Sequence, residues 1–151
     1  MRKIYNEYKK VLECSSRGDT RFSPFFAIVE VFSKWDCIEN HYQLSKRFKD
    51  ENPPKTWRDC KGKNPLYIII NNKKYDKKFL KDFYKLMWVQ YLDNNPKLVD
   101  YLLQYDDYSD MFKTKDCIVC QADVIRQYIR KGREDILNEC KEFINLLREN
   151  D

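Results

Sequence analysis

Glu39, Gln43 and Lys46 are the residues whose types and spacing can do chemistry together. On a helix, positions four apart and then three further on project from neighbouring turns of one face. They would line up an acid, a hydrogen-bonding amide and a cation, which are the parts of a polar pocket. The same spacing also describes an exposed charged face, where a Glu–Lys pair adds only about 0.2–0.5 kcal/mol to a helix. Spacing alone favours that solvated face. His41, the single histidine, lies off the Glu39–Gln43 line and reads as structural or surface rather than as a base.

The elements around the trio follow from periodicity. Ile4, Tyr5, Tyr8, Val11 and Leu12 recur at helical spacing, so Arg2 to about Cys14 reads as an amphipathic helix, broken by Ser15 to Asp19. Phe25 to Phe32 reads as a buried strand. Ser33 to Asp36 turns the chain into the helix from about Ile38 to Phe48, with Asp36 as N-cap. The proline-bearing stretch from Asn52 to Pro65 reads as a long surface loop carrying Trp57, Arg58, Lys61 and Lys63, placed to close over a ligand. Leu66 to Tyr75 reads as a strand and tight turn, and Phe79 to Asp93 as a core helix. A helix begins near Pro96 and runs to about Gln104; the acidic, aromatic loop Tyr105 to Phe112 follows. Gln121 to Lys131 and Glu134 to Arg148 close the chain as two helices. The sum is a mostly helical α+β single domain, residues 1–151, with a small β-sheet.

Composition narrows the function classes. A chain of 151 residues is long enough for a genuine core, and three glycines argue against a glycine-rich phosphate loop. The net charge of +5 comes from basic residues interleaved with acids, which accommodates a phosphate-bearing partner without requiring nucleic acid. No apolar run approaches membrane-spanning length, so the expected location is the cytoplasm, with no membrane partner. Of the six cysteines, Cys117 and Cys120 alone have ligand-like spacing, and no second close pair completes a four-ligand site. Buried reduced thiols are expected, with no metal and no cofactor.

Three segments carry a resemblance. Glu39, Tyr42, Gln43 and Lys46 form Glu-x-x-Tyr-Gln-x-x-Lys; Phe22-Ser23-Pro24-Phe25-Phe26 precedes it; Met87 to Leu103, with Asn95-Pro96-Lys97-Leu98 and Leu102-Leu103, follows. In this order they resemble the helix signature, the Phe-Ser-Asn-Phe segment and the long helix of the NADAR family of N-glycosidases. The chain would be a divergent member. Pro24 stands where the family has Asn, and the later Asp-x-x-Trp-Gly and Asn-x-Leu-Gly segments have no counterpart.

The resemblance implies a hydrolase that cleaves an N-glycosidic bond between a base or aminopyrimidine and ribose phosphate or ADP-ribose. Such a reaction passes through an oxocarbenium-like state and needs a carboxylate near the anomeric carbon. Glu39 takes that role by resemblance. Gln43 would hold sugar hydroxyls, and Lys46 would bind phosphate or orient Glu39, or else pair on the surface. Arg17 and Arg21, flanking Asp19 just before Phe22, offer guanidinium forks for phosphate or a merely solvated loop. Phe22, Trp57 and Trp88 are candidate stacking surfaces, with Trp57 the better placed and Trp88 more at home in the core. Asp107 and Asp110 are candidates for a second carboxylate or for turn caps. The expected partner is a small nucleotide-like or ADP-ribosylated substrate, with nucleic acid only as carrier of a modified base. The alternative is a non-catalytic binding module for a nucleotide-derived ligand on the same scaffold.

Overall fold

Leu12 shows how far the fold is set by distant pairing: its side chain is buried while Val11 beside it is exposed, the alternation of a strand. The computed structural model describes residues 9–49, 52–115 and 119–149. In it Val11–Glu13 (β1) pairs in parallel with Asp107–Ser109 (β7), Leu12 opposite Tyr108. The helix expected from Arg2 to Cys14 is therefore corrected over its last turn, and its residues 1–8 lie outside the described residues. Nothing local in either segment reveals a partner so far along the chain.

Ile28–Val31 (β2) and Lys34–Cys37 (β3) form an antiparallel hairpin. Its turn residues Phe32 and Ser33 have φ of 47° and 69°. Two positive φ values make a type I′ hairpin turn, which normally uses Asn or Gly, so these residue types concealed it. The hairpin delivers the chain into Ile38–Leu44 (α1), capped by Cys37, whose sulfur accepts from the Asn40 N–H at 3.4 Å. Asp36 instead accepts from the Cys37 N–H and the Asn40 side chain. Helix α1 stops at Leu44, and Lys46–Arg47 (β4) joins Tyr67–Ile70 (β5) and Lys73–Asp76 (β6) in a three-stranded sheet of order β4-β5-β6. The β5–β6 turn uses Asn71 and Asn72 at φ of 51° and 64°, the residue type that this geometry favours.

The core is built on Leu80–Asp93 (α2), with Trp88 and Leu92 fully buried. Pro96–Leu102 (α3), Gln121–Lys131 (α4), Arg133–Glu139 (α5) and Lys141–Glu149 (α6) complete the described helices. The span read as one helix from Glu134 breaks at Cys140, which sits at φ −93°, ψ 11°. Among the described residues, six α-helices and three small sheets make this an α+β fold. Among the described residues no helix is long and apolar enough to cross a membrane.

Candidate functional site

The segment Phe22–Phe26 docks on the start of α1 through its backbone: the Glu39 N–H donates to the Pro24 carbonyl at 2.9 Å and the Ile38 N–H to Ala27 at 3.0 Å. Proline lacks an N–H but keeps its carbonyl, so Pro24 can still make this contact. Glu39, in the first turn, is thereby aimed into a cavity of about 520 Å³ between α1, the Phe22–Phe26 segment and the loop after β4. That volume lies in the usual range of small-molecule sites. Glu39 is 4% exposed, and the Gln43 side-chain amide donates to its Oε1 at 3.1 Å. The Gln43 side-chain oxygen is buried with no hydrogen-bond partner among the described residues. A negative charge in the first turn is also favoured by the helix dipole.

Lys46 lies off the helix, in β4, and its role in the geometry differs from that of a stripe residue. Its ammonium is buried and donates to the carbonyls of Cys60 at 3.2 Å and Lys63 at 3.0 Å. Burial lowers its pKa, and the neighbouring Cys60 and Glu39 oppose that shift. These bonds tie the loop across the cavity, and the loop carries Trp57 and Lys61 into the lining. Trp57 meets Phe25 edge to face at 4.8 Å between ring centroids. The Lys61 ammonium lies 3.5 Å from Glu39 Oε1 and 5.3 Å from the centre of the Phe25 ring.

On the far wall a second carboxylate appears. Asp110 lines the cavity, and burial raises its pKa, opposed by the hydrogen bond from the Phe112 N–H at 3.0 Å. Glu13 grips the chain on both sides of it, accepting from the Ser109 hydroxyl and from the Met111 N–H, each at 2.9 Å. Tyr84 and Gln121 line the same cavity: the Tyr84 hydroxyl donates to the Gln121 side-chain oxygen at 3.1 Å, and the Gln121 amide donates to the Cys14 carbonyl. Burial pushes the Tyr84 phenol well above its ordinary range, so at neutral pH it is a donor.

Of the residues singled out from sequence, the structure brings together Glu39, Gln43, Lys46, Trp57, Lys61 and Asp110 around one cavity. Arg17, Asp19, Arg21 and Phe22 are not part of that lining. The Arg21 guanidinium is occupied by a two-pronged bond to Asp19, at 2.9 and 2.6 Å, and lies over the Tyr101 ring. Phe22 is fully buried and stacks on Tyr101, so it has no face left for a base. Arg17 is exposed. Trp88 is core. Asp107 points away from the cavity into Arg126, which donates to it at 2.8 Å. His41 meets the Val29 carbonyl at 3.1 Å. The cavity residues that sequence reasoning passed over are Tyr84 and Gln121, from two separate helices; Lys61 belongs to the Asn52–Pro65 loop expected to close over a ligand, and Asp110 is among the candidates for a second carboxylate or turn cap. Nothing local marks Tyr84 or Gln121, since each reads as an ordinary position of a helix.

Cys14, Cys37, Cys60, Cys120 and Cys140 are free and buried, and Cys117 lies outside the described residues. The one described grouping of metal-capable side chains, Asp82, Glu139 and Cys140, is not part of the lining of the Glu39 cavity. Within that grouping Glu139 is paired with the Lys85 ammonium at 2.7 Å.

No curated protein matches the chain. The family model described as "NADAR-DarT1: DarT1-associated NADAR antitoxin" matches residues 2–151, and the chain belongs to the NADAR family.

Proposed function

We propose that the chain is a hydrolase that cleaves the N-glycosidic bond between a base or aminopyrimidine and ribose phosphate or ADP-ribose. The observation that carries this reading is Glu39, a carboxylate 4% exposed that opens on a ligand-sized cavity beside an amide. Water adds to the anomeric carbon as the carbon–nitrogen bond breaks, and the bonding electrons leave with the base. Glu39 faces the positive charge growing on the ribose and takes the proton that the water loses. Asp110, which burial biases toward its protonated form, gives its proton to the departing nitrogen. Both then exchange protons with solvent. Trp57 offers an aromatic wall at the mouth. Nucleic acid enters this reading only as carrier of the modified base, and the reaction calls for no metal. The family's antitoxin description fits such chemistry, because removing a sugar from a base undoes a covalent mark.

The test is incubation with ADP-ribosylated guanine nucleotides and with aminopyrimidine ribosyl phosphates, following base release by chromatography. Wild type is expected to release base, and Glu39→Gln to lose about 100-fold or more, the usual scale for a positioned acid or base. An inactive wild type, or a fully active Glu39→Gln, sinks the assignment.

A binding module is the second reading, and Pro24 favours it. Its carbonyl is spent on the Glu39 N–H, and it has neither N–H nor polar side chain to offer a substrate. Calorimetry followed by recovery of intact ligand separates a binder from an enzyme.

A further inference from the structure

Three cations line the cavity among the described residues: Lys46, Lys61 and Lys63. An anionic group on a ligand has these ammonium groups to meet, because Arg21 is locked on Asp19 and Arg17 is absent from the lining, and of the three Lys61 is the one that forms an ion pair with Glu39. Lys46 is already committed to two backbone carbonyls and is buried. Lys61 is held differently. Its side chain is 56% exposed, and its contact with Glu39, at 3.5 Å, is at the long end for an ion pair. Its ammonium rests against the faces of Phe25 and Trp57, at 5.3 and 5.6 Å, so it can slide along aromatic surface without losing all its partners.

The backbone under it stays put. Lys46 pins the Cys60 and Lys63 carbonyls on either side, and the Lys61 N–H donates to Trp57 at 3.0 Å. Gly62 takes the left-handed φ of 76° that this tight turn requires. Movement is thus confined to the side chain, which has Glu39 at one end of its reach and the open mouth at the other.

We infer that Lys61 is an exchangeable counterion: in the free protein it covers Glu39, and a phosphate-bearing ribose draws it off, so that the anion of the ligand uncovers the carboxylate. Lys61 is then a specificity-determining residue that couples recognition of phosphate to exposure of Glu39. This rests on the phosphate-bearing ligand of the proposed function, and not on cleavage itself. The exchange is favourable because the contact is long and its lysine end is largely exposed, whereas a charge-assisted bond to phosphate is among the stronger hydrogen bonds, and the buried Glu39 keeps the Gln43 amide when the lysine leaves.

The experiment is calorimetry with ADP-ribose at low ionic strength on wild type, Lys61→Met, Glu39→Gln and the double variant, with folding checked by circular dichroism. Lys61→Met is expected to weaken binding about 10- to 100-fold, the range for one charged hydrogen bond. Glu39→Gln is expected to favour binding several-fold more when Lys61 is present than in the Lys61→Met background, since it frees a lysine that must be there to be freed. Binding by Lys61→Met within twofold of wild type overturns the inference, as do equal effects of Glu39→Gln in both backgrounds or no binding of ADP-ribose by wild type. Parallel cleavage assays keep the two ideas apart. Binding that depends on Lys61 without cleavage sinks the hydrolase and leaves the counterion role; cleavage with Lys61→Met affinity unchanged does the reverse.

Discussion

Replacing Glu13 by Gln tests whether the β1–β7 pairing holds the second carboxylate in place. The Glu13 carboxylate accepts from the Ser109 hydroxyl and the Met111 N–H, one oxygen to each, and so spans Asp110. Glutamine can turn its oxygen to the Met111 N–H and donate its amide to the Ser109 hydroxyl oxygen, which then has the Leu12 carbonyl to donate to. Both charge-assisted bonds become ordinary neutral ones, each weaker by about 1 kcal/mol. With hydrogen bonds to charged groups contributing about 1.5–3 kcal/mol, and some compensation by water at this half-buried site, the expected loss is about 1–2 kcal/mol. At roughly 2–4 °C per kcal/mol for a domain of this size, Tm falls by about 2–8 °C at pH 7. The sign of the pH dependence follows from the Glu13 pKa, which is lowered: burial raises it, but the bonds from Met111, Ser15 and Ser109 together outweigh burial. A lowered carboxylate contributes stability above its unfolded value, and that contribution is lost as pH falls through the folded value. The gap between wild type and Glu13→Gln is therefore full at neutral pH and closes below about pH 4. Differential scanning fluorimetry from pH 7 to 3 measures it. Glu13 also raises the Asp110 pKa by charge repulsion, so in the proposed reaction the alkaline limb of activity, set by a protonated Asp110, moves to lower pH in the variant. An unchanged Tm at pH 7, or a gap that persists undiminished at pH 3, refutes the clamp.

Two further outcomes test the surroundings. Gly18→Ala places a methyl group 2.3 Å from the Glu13 carbonyl oxygen, so β1 must shift; the expected cost is about 1–3 kcal/mol in urea unfolding, and wild-type stability would show that β1 is not where the structure has it. Burial pushes the Cys14 and Cys140 thiols up to about 12 and Cys120 up to about 11, so at pH 8 these three should resist an aromatic disulfide reagent until the protein is unfolded. Rapid labelling of Cys14 in the native state, mapped by mass spectrometry, contradicts that burial.

What local pattern could decide, the sequence decided well. The helix beginning at Ile38, the core helix through Trp88, the Asn71–Asn72 hairpin and the helix from Gln121 are each written in periodicity or turn chemistry within a dozen residues. Glu39 and Gln43 share a helix face for the same reason, and the two do meet at 3.1 Å. Tertiary structure decided the rest. Whether that face looked into solvent or into a cavity depended on Pro24, which receives the Glu39 N–H, and on the loop that Lys46 straps down. Lys46 itself could be read as a stripe residue only while the helix was thought to continue past Leu44. The Arg17–Phe22 cluster stood close to the site in sequence, yet a guanidinium consumed by Asp19 and a ring consumed by Tyr101 leave it little to give a ligand. Asp110 looked like a turn residue because the strand that places it pairs with Val11–Glu13. A one-dimensional pattern records which side chains share an element. Which elements share a cavity is fixed by pairings between segments about a hundred residues apart, and those leave no periodic trace.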